Sequence, residues 1–224
     1  ISFFLLFAVI PGWSEIIVTS FAPTLYTSDT TAMNQTFGIT GYAFENFEDT
    51  NLINSLTMSL DYGTPGNTLP RVETGNDLSW DSGKIFNNYY ASTPSEAIGF
   101  HFDAGIRSFG VGFANMETRR NPDFSIWVNG NKIVDAVAQL PGYRDTAVTG
   151  LQKNIYIRLD STEDIIYSVV LDWGPQVNDS PGLDGVGIDH AAFDTDLSPL
   201  SIPEPMSLFM IIATLIFLKI KCNN

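Results

Sequence analysis

Three short runs between Ala97 and Val128 alternate in steps of two, a period that a β-strand satisfies and a helix does not. Ala97–Phe102 (AIGFHF), Ser108–Phe113 (SFGVGF) and Phe124–Val128 (FSIWV) set large apolar side chains against small or polar ones. Successive side chains of a strand point to opposite faces, so each run has an apolar face to bury. Asn129-Gly130 then leads into Lys132–Val137. Both residue types tolerate positive φ, and the pair predicts a tight hairpin. Asn154–Leu159 (NIYIRL) and Ile165–Leu171 (IIYSVVL) flank Asp160–Asp164 and predict a second hairpin, while Val186–Phe193 (VGIDHAAF) predicts a last strand. From Thr36 to Phe193 no stretch keeps a helical period for three turns.

Short strands with polar turns and no interleaved helices predict an all-β fold, an antiparallel β-sandwich of jelly-roll type. Irregular strand spacing argues against a closed barrel. The chain of 224 residues fits one medium domain with flanking segments. The expected organisation is a secretory signal over 1–14, truncated at its start, a sandwich over 15–196, a linker over 197–202 and a sorting segment over 203–224. Asp61–Tyr90 is long and polar, with Pro65-Gly66, Pro70, Gly75 and Gly83, and reads as a long loop of the kind that is functional or partly disordered.

Charge removes two partner classes. Lys and Arg number 11 against 25 Asp and Glu, a net charge of −14. Nucleic acid and anionic membrane surfaces need a basic face, so neither is expected. The one cysteine, Cys222, lies past the last apolar run. The body therefore holds no disulfide, no thiolate nucleophile and no Cys-based zinc site.

Both ends read as addresses. Ile1–Ile10 (ISFFLLFAVI) is apolar throughout and Pro11-Gly12-Trp13-Ser14 follows, the pattern of a secretory signal cut before Glu15. Ser20-Phe21-Ala22 offers a second cut, weakened by Pro23, and a buried first strand is the alternative for the apolar run. At the other end Met206–Leu218 gives 13 apolar residues, where a spanning helix needs about 20. Lys219 and Lys221 would stop its transfer on the cytoplasmic side.

Pro203-Glu204-Pro205, a short apolar helix and a basic end resemble the PEP-CTERM sorting signal of Gram-negative bacteria. The match covers the final stretch of the chain, with its three parts in order. It implies a transient encounter with an exosortase, passage through the inner membrane by way of the C-terminal helix, and delivery to the cell surface, envelope or extracellular matrix. The tail KIKCNN is less basic than the usual arginine cluster. A GPI signal is the rival, but its hydrophobic tail normally ends without lysines.

Phe44-Glu45-Asn46-Phe47-Glu48-Asp49 near the start and Asp184-Gly185-Val186-Gly187-Ile188-Asp189 near the end resemble surface jelly-roll domains, carbohydrate-binding modules and PEP-CTERM proteins among them. The resemblance implies that first and last strands lie together, tied by a structural calcium to which Glu45, Glu48 and Asp49 would bring carboxylates with Asp184 or Asp189. Calcium takes six to eight oxygens. Strand alternation puts Glu45 and Asp49 opposite Glu48, so a regular strand does not aim all three at one ion. The plainer alternative is a set of solvated faces and turn residues.

No catalytic residue is nominated. His101 and His190 are the only imidazoles, and His101 reads as a strand-face residue rather than a base. A nucleophile elbow, a zinc-protease His pair and a phosphate-binding glycine loop are all absent from the sequence. Sugar binding needs an aromatic platform with polar groups beside it. Trp80, Tyr89 and Tyr90, in or beside the polar insertion, are the candidate glycan contacts, whereas Trp127 reads as core. The expected function is that of an exported, non-enzymatic cell-surface or matrix protein, adhesive or in contact with extracellular polysaccharide. The alternative is a secreted carbohydrate-active enzyme or its binding module.

Overall fold

Phe109, Val111 and Phe113 alternate with Ser108, Gly110 and Gly112, and the fold gives the first set to one core and the second to an outer face. The computed structural model describes residues 15–21, 30–70, 72–74, 84–87, 97–114, 123–140, 155–174 and 187–195. Along these run β1 (Ile16–Phe21), α1 (Thr30–Phe37), β2 (Ala43–Glu45), β3 (Leu56–Leu60), β4 (Glu73–Thr74), β5 (Lys84–Asn87) and β6 (Ala97–Ile106). β7 (Ser108–Ala114), β8 (Ser125–Val128), β9 (Asn131–Val134), β10 (Ile155–Ser161), β11 (Ile166–Asp172) and β12 (Gly187–Phe193) follow.

The strands form two antiparallel sheets. The larger has the order β1-β10-β7-β12-β5-β4, with β2 also paired to β12; the smaller has the order β3-β6-β11-β8-β9. Their facing sides share one core. Phe100 of the smaller sheet meets Phe109 of the larger at 4.8 Å between ring centroids, and Phe102 meets Phe193 at 5.2 Å. Tilted aromatic pairs of this kind each add about 0.5–1.5 kcal/mol beyond area burial. The expected all-β sandwich is therefore present.

Asn129 and Gly130 sit at φ 49° and 79° between β8 and β9, as the hairpin reading requires. The second predicted hairpin is not one. β10 pairs with β1 and β7, whereas β11 pairs with β6 and β8 in the other sheet. β6 and β7 do the same around Arg107, passing from the smaller sheet to the larger. The two crossings are clamped together: Ser161 N–H donates to Arg107 O at 2.8 Å, and Arg107 Nη1 donates to Glu163 O at 3.1 Å. Alternation tells which side chains face the core, but both sheets face the same core, so it cannot say which sheet a strand joins.

Two further differences lie outside the predicted strands. Phe44-Glu45 belongs not to the first strand but to the second, because Ile16–Phe21 forms an edge strand on β10 over six residues. α1 covers the outer face of the larger sheet, where Phe37 stacks on Tyr156 at 4.0 Å and 7°. Gly110 lies under that contact: an added Cβ would fall 2.6 Å from the Tyr156 hydroxyl. Among the described residues no helix is long and apolar enough to cross a membrane. The expected helix at Met206–Leu218, the sorting triplet Pro203-Glu204-Pro205 and the apolar segment 1–14 lie outside them.

Candidate functional site

The segment expected as the first strand is β2, and it pairs with the last strand β12, with Glu45 opposite Ala191, whereas β1 pairs with β10. Glu45 is 2% exposed, and both its oxygens are engaged by its own chain. Phe47 N–H donates to Oε1 at 2.7 Å and Ile53 N–H to Oε2 at 2.9 Å, closing the 46–53 loop over the carboxylate. Burial pushes its pKa up, against the pull of those N–H donors. Asp189, fully buried, accepts the N–H of His190 at 2.7 Å. Exposed Asp49 accepts Asn51 N–H at 2.7 Å in an Asx turn, and the half-buried Glu48 lies in the same loop. Among the described residues no group of three or more His, Cys, Asp or Glu side chains is placed to hold a metal ion. The described members of the predicted calcium set form no such group, and Asp184, the remaining member, lies outside the described residues.

The predicted glycan contacts Trp80, Tyr89 and Tyr90 also lie outside the described residues. Among the described residues another indole reaches the surface of a sheet. Ile126 and Val128 of β8 enter the core, which turns Trp127 and Ser125 to the outer side of the smaller sheet. Trp127 is half-buried there, so its assignment to the core is corrected. The core tryptophan is Trp173, packed at 5.9 Å from Phe124 and 6.4 Å from Phe113. The run FSIWV carried the signal, since its alternation groups Trp127 with Ser125 and against Phe124, Ile126 and Val128.

Strand register sets Trp127 in a row that crosses the whole smaller sheet. Ser59 of β3 is opposite Gly99 of β6, Gly99 opposite Val170 of β11, Val170 opposite Trp127 of β8, and Trp127 opposite Lys132 of β9. At the usual strand spacing that row spans about 19 Å. On one side of it lie Thr57, His101 and Ser168; on the other, Ala97, Asp172 and Ser125. Tyr62, 65% exposed beyond the end of β3, donates its hydroxyl to Asp172 Oδ2 at 2.5 Å.

Local bonds order the side chains of this face. Trp127 Nε1–H donates to Ser125 Oγ at 2.9 Å, fixing the indole. Ser59 Oγ and His101 Nε2 are 2.9 Å apart across Gly99. A Cβ at Gly99 would come within 2.5 Å of that hydroxyl and 2.8 Å of that nitrogen, so only glycine leaves the pair room. Partial burial lowers the His101 pKa and favours the neutral ring. Lys132 Nζ stands 5.0 Å from the Trp127 ring centroid and 2.8 Å from Asp135 Oδ1. The face thus combines an aromatic plate, a carboxylate bound to a tyrosine hydroxyl, and the half-buried hydroxyls of Thr57 and Ser168, while Ser59 and Ser125 are buried and engaged by His101 and Trp127. That is the equipment for hydrogen-bonding a polyhydroxylated ligand stacked on a ring.

The opposite outer face carries α1 over its middle. Tyr156, fully buried under Phe37, donates to His190 O at 3.2 Å, and Arg158 bonds both Asp160 Oδ2 at 2.8 Å and Phe37 O at 2.5 Å. These bonds fasten α1 to the larger sheet, whereas on the smaller sheet's outer side Trp127, Val170 and Ser168 are half-buried and Ser59 and Ser125 are buried. Comparison of the chain with protein-family models, curated proteins and solved structures gives no match, and the site stands on its own geometry.

Proposed function

We propose that this is an exported, non-enzymatic protein of the cell surface or extracellular matrix, delivered by a PEP-CTERM/exosortase system and contacting polysaccharide through the outer face of its smaller sheet. The row Ser59–Gly99–Val170–Trp127–Lys132 carries the glycan part of the reading. The Pro203-Glu204-Pro205 tail supports the sorting part. A jelly-roll topology fits the strand orders: β2-β12-β7-β10 in one sheet opposes β3, β11, β8 and β9 in the other, with β6 inserted beside β3. The exosortase and the inner membrane are transient partners; the polysaccharide is the lasting one.

Expression in a Gram-negative host that carries an exosortase tests the sorting. The wild-type chain is expected in the envelope or matrix with its tail removed, and a chain with Pro203, Glu204 and Pro205 all changed to Ala is expected to stay in the inner membrane. Equal distribution of the two would refute the sorting reading. Incubation with matrix polysaccharides should give binding without new reducing ends; steady release of reducing sugar would make the protein an enzyme instead.

A further inference from the structure

We infer that the polysaccharide taken by this face is cationic, a chain of partly de-acetylated amino sugars whose ammonium groups replace Lys132 over Trp127. The inference rests on the glycan-contact reading above and names the ligand class for the same site.

In the free protein an ammonium already occupies the ring. Lys132 Nζ lies 5.0 Å from the Trp127 centroid, with Asp135 Oδ1 at 2.8 Å as its counter-charge. An indole face beside a carboxylate is the chemistry that recognises an alkylammonium group. The occupant is exchangeable, because the Lys132 and Asp135 side chains are 41% and 67% exposed and an ion pair in water holds weakly. A neutral sugar stacking on Trp127 would displace Lys132 and give Asp135 no charge in return. An amino sugar supplies both the ring contact and the charge.

The rest of the face points the same way. Asp172 belongs to it and exposed Asp103 continues the outward-facing series of β6, while its one described cation, Lys132, is already paired. The whole chain carries −14. A polyuronate would meet repulsion there, and a polyamine attraction. Half-buried Thr57, His101 and Ser168 then lie along the neighbouring strands for the sugar hydroxyls.

The test is calorimetric titration of the full chain in mild detergent with a glucosamine oligomer, its fully N-acetylated counterpart and a polyuronate oligomer of equal length. The glucosamine oligomer is expected to bind at least about tenfold more tightly than the others, roughly the worth of one well-placed cation–π contact with its counter-charge. Asp135→Asn and Trp127→Ala should each remove most of that preference, and Lys132→Ala should strengthen binding by clearing the ring. Trp127→Phe keeps a ring and should retain part of the affinity, which separates loss of contact from loss of fold. Equal binding of the N-acetylated oligomer would overturn the amine assignment while leaving the glycan reading intact. Unchanged glucosamine binding by Trp127→Ala would reduce the effect to a polycation on an acidic surface and overturn the inference. Failure of all three oligomers, and of matrix polysaccharides, to bind the wild type would remove the glycan reading itself.

Discussion

Nε2 of His190 lies 2.8 Å from Oδ1 of Asn34, joining the last strand to helix α1 across 156 residues of sequence. His190 is 2% exposed, with φ 50° beside the β12 bulge and Phe44 stacked on its ring at 5.1 Å. Burial lowers its pKa to about 4, so the docked imidazole is neutral.

This predicts a loss of stability on acidification. The unfolded histidine takes up its proton near pH 6.5, while the folded one refuses it down to about 4. Within that window the unfolded state binds more protons, so stability falls as pH falls, by roughly 3 kcal/mol in all. Urea unfolding at pH 7 and pH 4.5 should show a smaller loss in His190→Asn than in the wild type, since asparagine accepts positive φ. Equal losses in both proteins would rule out the buried imidazole as the cause. Glu45, whose raised pKa gives the opposite slope, is common to both proteins and cancels.

Glu45→Ala should lower stability on the order of 3 kcal/mol, because it orphans the N–H groups of Phe47 and Ile53 together. Glu45→Gln should cost less, since it keeps one acceptor and turns an amide N–H toward the other donor. Chemical denaturation measures both. A near-neutral Glu45→Ala would show that the carboxylate does not hold the loop.

Chelation tests the calcium that the acidic segments imply by resemblance. With Glu45 and Asp189 turned to backbone N–H groups, EDTA is expected to leave the melting temperature unchanged. A fall of several degrees would contradict this and bring Asp184 and loop carbonyls into a metal site.

Under the proposed export, β1 distinguishes the two N-terminal cuts that the sequence offers. Cutting before Glu15 spares Ile16–Phe21, whose Ile16 and Val18 pack on the core; cutting after Ala22 removes the whole strand from the edge of β10. Mass spectrometry of exported protein is expected to find Glu15 first. A chain starting at Pro23 should be less stable by roughly 2–5 kcal/mol, the usual cost of deleting such packing. A mature protein beginning at Pro23 with unchanged stability would contradict the edge-strand role.

Much of the sandwich was legible because its strands are strictly periodic: Phe109, Val111 and Phe113 announce an inward face without any tertiary information. Sheet membership was not, because β10 and β11 present the same pattern to one core from opposite sides. α1 has only eight residues, too few for a helical period to register against the surrounding strand pattern. At the candidate site the misreading was local. Trp127 looked like core because tryptophan usually is, although its own alternation placed it with Ser125. Tyr62 and Asp172 could not be paired from sequence, being 110 residues apart and joined only when β3 and β11 enter the same sheet.

The central claim is that polysaccharide lies on the outer face of the smaller sheet, and the tryptophan indole signals of the ¹⁵N-labelled protein test it most directly. On titration with bound matrix polysaccharide the Trp127 Nε1–H signal, assigned through Trp127→Phe, should shift and broaden, while that of core Trp173 stays fixed. A fixed Trp127 signal with a shifting Trp80 signal would contradict the claim and move the contact to the polar insertion.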